Sequence, residues 1–372
     1  MSASRVVFPA RDSARFHEEI KHRVNQYFTD RGLSPKANAA MVAKTVTLLA
    51  LLLVPYGLIL SGRFGPWTML ALAMVMGVAM AGIGFSVAHD ALHGAYSHRP
   101  WVNETLGYSF DLLGANGYIW KTTHNVIHHT YTNIQGVDGD IEVSPLLRLC
   151  PRSQWYPIHR WQHFYGFPVY SLSTLFWVFV KDYKYFLKDH PGPYHKQGHS
   201  AGAVARLLVT KAIYYGWAIV VPLLVLDVPW WQFVIGFVVM HLVAGTILGI
   251  VFQLAHSVEG PEFPVPDEHG VMEHAWAVHE METTSNFGRH NRLLCWYVGG
   301  LNFQIEHHLF PKVCSVHYPA ISEIVREVAA KHGIVYHEHA TLREAVASHY
   351  RMLVRLGREA EGHQAPAGAV PA

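Results

Sequence analysis

Twenty-seven of the 372 residues are histidine, nearly as many as the 29 lysines and arginines together. Imidazole is the commonest protein ligand for metals, so the spacing of these residues is the first thing to read. His89 and His93 stand four apart, which places both rings on one face of a helix. His124, His128 and His129 repeat that step with one neighbour added, and three imidazoles are expected on nearly one face. His307 and His308 are adjacent and follow Gln304 by a turn. His256 closes the apolar run Phe252-Gln253-Leu254-Ala255. A metal with one coordination position left open takes about three to five protein ligands, so eight imidazoles suit two metals. A site this rich in nitrogen favours Fe, Cu or Zn.

The elements that must position these residues are apolar. Hydrophobic residues make up 51% of the chain and charged residues 15%, a balance that points to a membrane protein. Four segments, 41–61, 67–88, 207–226 and 230–255, reach the roughly 20 residues needed to cross a bilayer. Short turns at 61–66 and 227–229 join them into two helical hairpins. Counted from the start of each helix, His89 lies roughly 33 Å and His256 about 39 Å along, so both emerge at one membrane face. The lysines and arginines cluster in the N-terminal region, between the hairpins and toward the C-terminus. That distribution predicts a cytoplasmic location for both termini and for the histidines.

Two further apolar stretches need a decision. Residues 105–120 are short and contain Asp111 and Asn116. Residues 164–180 are aromatic and run into Lys181; a crossing there would put the histidine clusters on opposite faces, so an interfacial helix is expected. The expected fold is thus all-α and integral to the membrane: four transmembrane helices in two hairpins, with a cytoplasmic helical cap around the metals. Residues 1–40, with Phe16, Ile20, Val24 and Tyr27 at helical spacing, read as an amphipathic N-terminal region. Residues 41–345 form the main domain. Residues 346–372 are the end of a helix and a disordered tail. The net charge of +2 and the lack of a clustered basic face give no expectation of nucleic-acid binding. Cys150, Cys295 and Cys314 are expected to be free thiols.

Other residues carry secondary expectations. Trp120 lies one turn before His124 and is placed to line a substrate channel. Asp138, Asp140 and Glu142 follow the second cluster closely enough to accept the outward N–H of ligand imidazoles. Gln253 and Gln304 are candidates for a similar supporting role. His241, near the middle of the fourth span, is expected to hydrogen bond to a neighbouring helix. His274, His279, His317, His332, His337 and His339 lack the spacing of a ligand.

These clusters resemble the three histidine boxes of the membrane fatty acid desaturases: His89-Asp90-x-x-His93, His124-x-x-x-His128-His129 and Gln304-x-x-His307-His308. The run from Gly299 to Pro311 is similar to the third-box region of front-end and related bacterial acyl desaturases, and His256 matches the family's additional histidine. The resemblance covers about residues 40–345. It implies two non-haem iron ions held by His89, His93, His124, His128, His129, His256, His307 and His308, with O₂ as oxidant. It also implies an acyl substrate carried on CoA, a carrier protein or a phospholipid. Electrons are expected from a separate donor such as ferredoxin or cytochrome b5 with a reductase. His190-Pro191-Gly192-Pro193 matches a cytochrome b5 haem motif only in part and reads as a turn. A hydroxylase using the same boxes, or a metal-handling membrane protein, are the alternatives.

Overall fold

The computed structural model describes residues 6–9, 14–141, 145–187 and 198–358. The expected tail, Glu142 and the His190-Pro191-Gly192-Pro193 turn lie outside the described residues. Among those described, four helices are long and apolar enough to cross a membrane: Ala39–Leu60, Pro66–Leu92, Ala201–Val225 and Trp230–His256.

Each begins where the local chemistry favours it. The Asn38 side chain accepts a hydrogen bond from the Met41 amide at the first helix, and Ser200 does the same for Ala203 at the third. Pro66 opens the second, a position where its missing N–H costs nothing. Two ends differ from the expectation. The second helix runs on to Leu92, so His89 lies inside the continuous helix and not just beyond it. The third begins at Ala201, ahead of the expected residue 207, and Arg206 within it pairs with Asp111 at 3.0 Å.

Small residues bring the helices together, as is usual where lipid gives no hydrophobic drive for helix association. A Cβ at Gly77 of the second span would collide with the Met240 carbonyl of the fourth, and one at Gly245 would collide with the carbonyl of Ser171. Leu48, Leu52, Met76, Met80, Met240 and Ala244 fill the space between these spans. His241, as expected, meets neighbouring helices: it shares a 2.6 Å hydrogen bond with the Tyr214 hydroxyl and a 3.1 Å one with Thr174.

The stretch 164–180 is not one long helix. It is divided among Gln162–Ser171, Ser173–Phe176 and Trp177–Lys181, and continues as Asp182–Leu187. Phe164, Phe176 and Phe179 are exposed along it. The N-terminal helix Ala14–Asp30 lies on the protein, with Phe16 and Ile20 against Ala277, Met281, Val325 and Val328. Phe28, rather than the expected Tyr27, takes the fourth buried place, four residues after Val24. The helices Trp276–Thr283, Gln304–Leu309, Tyr318–Lys331 and Leu342–Arg358 complete the head region, with one parallel pairing of Asn286–Phe287 and Glu338–His339. All three cysteines are free.

Four segments of the helices are wound as π-turns, in which each amide bonds five residues back: Ile83–Ala88, Lys121–His128, Trp177–Lys181 and Gly216–Val220. Such turns concentrate at functional sites. Two of them bear directly on the histidines, one leading into His89 and one carrying His124 and His128.

Candidate metal centre

The second histidine cluster shows how local winding sets the site. In a regular α-helix a residue five positions on points well away from the first. The turn at Lys121–His128 is wider, and the His129 amide bonds to the His124 carbonyl at 3.1 Å. His129 therefore returns to the side of His124. The expectation that three imidazoles share a face holds only because the helix is not α-helical there.

The eight predicted histidines converge. One ring nitrogen from each of His89, His93, His124 and His307 lies within 4.8 Å of the others, and His128, His256 and His308 form a second group on the same criterion. His129 sits between the groups, its ring centre 4.7 Å from that of His93, 4.5 Å from His307 and 4.4 Å from His308. Each of the eight has at least one buried ring nitrogen with no hydrogen-bond partner. Burying an unpaired polar atom is costly, and eight converging in one place point to an electrophile that accepts their lone pairs. Among buried histidines elsewhere, His163 also keeps one unpartnered ring nitrogen, but three others differ. His159, His241 and His349 have both ring nitrogens engaged. Of the six histidines expected to be bystanders, none joins either group.

The outward nitrogens are held. His128 Nδ1 lies 2.9 Å from Asp138, His124 Nδ1 3.3 Å from Asp140 and His308 Nδ1 2.7 Å from Glu280. The Tyr318 hydroxyl is 3.2 Å from His307 Nδ1, and the Thr283 carbonyl 3.2 Å from His256 Nδ1. Thr132 donates to Glu280 at 2.9 Å. The Trp276 indole donates to the His129 carbonyl at 2.9 Å. Asp138 and Asp140 were legible in the sequence. Glu280 was not: nothing in its spacing separates it from Glu273 and Glu282, which stay at or near the surface, whereas Glu280 is fully buried.

The boxes are also tied to each other. Asp90 accepts from the Ser315 amide and hydroxyl at 3.0 and 2.9 Å and from Cys314 at 3.1 Å, joining the first box to the loop after the third. Glu306, between Gln304 and the last histidines, accepts from Asn286 at 2.7 Å and Tyr336 at 2.9 Å. Burial pushes its carboxyl up to about 7. Gly299, with φ at +61°, lies where a Cβ would strike the Phe85 carbonyl, so the turn before the third box sits directly on the π-turn of the second span. Gln304 and Gln253 are buried, but neither hydrogen bonds to a histidine of the two groups.

Electrostatics without metal follow from burial. Burial, reinforced by the neighbouring rings, holds His93, His124, His129, His307 and His308 well below the usual imidazole range. His128 differs. Burial lowers it, but Asp138, Asp140 and Glu280 outweigh that and raise it to about 9. Burial raises Glu280 well above the usual carboxylate range.

Trp120 stacks on His124 with ring centres 4.4 Å apart and edges against His89 and His93 at 5.5 and 5.3 Å. An aromatic series continues from it, with Phe110 5.5 Å from Trp120 and Trp177 5.5 Å from Phe110.

Comparison with known proteins decides the family. The fatty acid desaturase family model matches residues 65–340. The chain belongs to the fatty acid desaturase family. This desaturase is 33% identical over 363 residues to the sn-1 linoleoyl-lipid 6-desaturase of Synechocystis sp., covering 96% of this chain and 99% of that one. It is 34% identical to the protein of the same name from Arthrospira platensis, over 92% of this chain and 93% of the relative. An acyl-lipid (8-3)-desaturase of Physcomitrium patens is 31% identical, with 92% of this chain and 72% of the relative covered. The desaturase is accordingly an oxidoreductase of lipid metabolism, with four candidate spanning helices and histidine clusters suited to metal.

Proposed function

We propose that this desaturase inserts a double bond into the acyl chain of a membrane lipid at a non-haem di-iron centre, using O₂ and electrons from a separate donor protein. The observation that carries this reading is the convergence of eight buried histidines, each with a partnerless ring nitrogen, seven of them in two adjoining groups and His129 between. His89, His93, His124 and His307 hold one iron, His128, His256 and His308 the other, and His129 stands between them. Iron bound there supplies the oxidising power that removal of hydrogen from an unactivated C–H bond demands, which Zn cannot provide.

The chain's own residues do the rest. Asp138, Asp140 and Glu280 take the outward N–H of His128, His124 and His308 and fix each ring with Nε2 facing inward. Tyr318 and the Thr283 carbonyl orient His307 and His256. Trp120 forms an apolar wall against the first group, where an alkyl segment can lie with water excluded. Gln304 and Gln253 act in this reading through water. The lipid form of the substrate is favoured by the names of the relatives, a ferredoxin or a cytochrome b5 with its reductase fits as donor, and the centre faces the cytoplasm.

Expression in a host with a compatible donor, followed by mapping of double bonds in its lipids, tests the reading. A new double bond and two irons per chain are expected. A hydroxy-acyl product without a double bond overturns it in favour of a hydroxylase. His128→Ala and His308→Ala abolish the activity, and turnover surviving either change removes that residue from the ligand set.

A further inference from the structure

The aromatic series that leaves His124 ends at a lysine. Trp120, Phe110 and Trp177 follow one another at ring-centre distances of 5.5 Å, and the Lys181 ammonium lies over the Trp177 ring, 4.4 Å from its centre. A second connection returns to the starting point: Lys181 Nζ is 3.5 Å from one oxygen of Asp140, whose other oxygen is 3.3 Å from His124 Nδ1. The lysine is therefore one carboxylate away from a proposed iron ligand, at the far end of the apolar wall that begins on that ligand.

The backbone is built to hold it there. Lys181 closes the π-turn Trp177–Lys181. The next residue, Asp182, is pinned by Lys211 at 2.8 Å and by the Trp177 indole at 2.8 Å. Lys211 also donates to the carbonyls of Gly114 and Val178 at 2.7 and 2.9 Å. Asp182 is thus held by Lys211 and the Trp177 indole, while Lys181 lies over the Trp177 ring and reaches Asp140. An ammonium carries three N–H donors. Among the described residues, Asp140 takes one of them and at the long end of the hydrogen-bond range. Lys181 is neither sealed in nor fully free, with 14% of its side chain exposed. Phe176, Phe179 and Val180 on the same short segment are exposed and apolar, so the lysine sits where a bilayer lipid can reach it.

We propose that Lys181 binds the ester carbonyl oxygen of the acyl lipid at the end of the Trp120–Phe110–Trp177 aromatic series, and so sets which carbon lies over the metals. This rests on the desaturase reading above. An enzyme that oxidises a featureless alkyl chain at one position must fix the chain's register, and a methylene run offers no polar group for that purpose. The ester is the nearest polar feature, and a charged donor at a fixed distance from His124 converts its position into a count of carbons. Trp177 keeps the ammonium oriented by its ring face, and Asp140 keeps it from turning into solvent.

The test compares wild type with Lys181→Met, purified into nanodiscs, for binding of ester-linked and ether-linked diacyl lipids carrying either a neutral galactose or an anionic phosphatidylglycerol headgroup. The double-bond position in lipids of the expression host and the iron per chain are measured in parallel. Wild type is expected to prefer the ester over the ether by about tenfold, the worth of a hydrogen bond from a charged donor. Lys181→Met should lose that preference with either headgroup, spread the double bond over neighbouring positions and keep its iron. Three results would overturn the proposal: an unchanged ester preference, a loss confined to the phosphate headgroup, or a fall in iron with double-bond position intact. If Lys181→Met is not recovered folded, Lys181→Gln is used instead: its uncharged amide can still donate, so the ester preference should fall well below the wild-type value without vanishing, and a preference equal to wild type overturns the proposal. If wild type makes no double bond, the desaturase reading fails, while the ester-against-ether comparison still judges Lys181.

Discussion

His128 and Glu280 show how much of the proposed metal centre is decided one atom away from the histidines that would bind the metal. Both lie at the junction of the two groups, and each imidazole that meets a carboxylate there does so through Nδ1, with Nε2 left bare. Glu280→Ala leaves His308 Nδ1 only the Thr132 hydroxyl at 3.3 Å and is expected to weaken iron binding about 10- to 100-fold, read as iron per chain after dialysis against a graded chelator. His128 gives a pH signature. Burial lowers it, yet Asp138 and the acids beside it leave it at about 9 in the metal-free protein. It therefore carries a proton at neutral pH that a metal must displace. Affinity should rise with pH up to about 9, by roughly tenfold per unit, and calorimetry in buffers of different ionisation heat should count one proton released. The histidines themselves were legible because a metal imposes spacing on its ligands. Glu280 was hidden because its partner, His308, is distant in sequence and no periodicity links them.

The helices were legible where they are apolar and regular, and the departures from regularity were not. Nothing in Lys121–His128 announces a wide turn, yet it places His129 beside His124. Removing one residue, Thr123, should restore α-helical winding, swing His129 aside and lower iron content while leaving helicity by circular dichroism unchanged. Two buried histidines inside the shorter helices carry a different liability. His349 donates from Nδ1 to the Ser257 carbonyl at 2.6 Å and takes the Tyr170 hydroxyl at 2.9 Å; burial depresses it to about 4. His279, bonded to the Thr132 carbonyl at 2.9 Å, is likewise depressed to about 4 by burial. Both are neutral when folded and titrate near 6.5 when unfolded, so the unfolded state binds the extra protons between those values. Stability should therefore fall as pH drops from about 6.5 to about 4, by up to about 3 kcal/mol for each histidine, and level off below. Thermal unfolding in detergent across that range checks the sign.

At the scale of the molecule, four candidate spanning helices were readable from hydropathy, whereas their contacts were not. Gly245 and Gly249 of the fourth span lie against Ser171 and Tyr170, and a Cβ at Gly249 would come within 2.7 Å of the Tyr170 Cβ. Gly249→Leu is expected to lift the helix Gln162–Ser171 off the span and lower the melting temperature by several degrees. Reporter fusions at either terminus should read cytoplasmic, and one in the 61–65 turn should read the opposite face. An apolar cavity of about 400 Å³ lies between the spans, with Trp67, Trp217 and Met240 among its walls. Its wall residue Met240 stands about 24 Å before His256 along one helix. The two metal groups, by contrast, draw on residues spread from His89 to His308. That spread sets a clock. At ribosomal rates of about 5–20 residues per second, His128 leaves the tunnel roughly 10–40 s before His308. Through that interval the growing chain holds a half-built site already inserted beside lipid. Metal loading is therefore an event of the finished chain, and an iron-starved cell should accumulate a folded, membrane-inserted and inactive protein that iron alone can rescue.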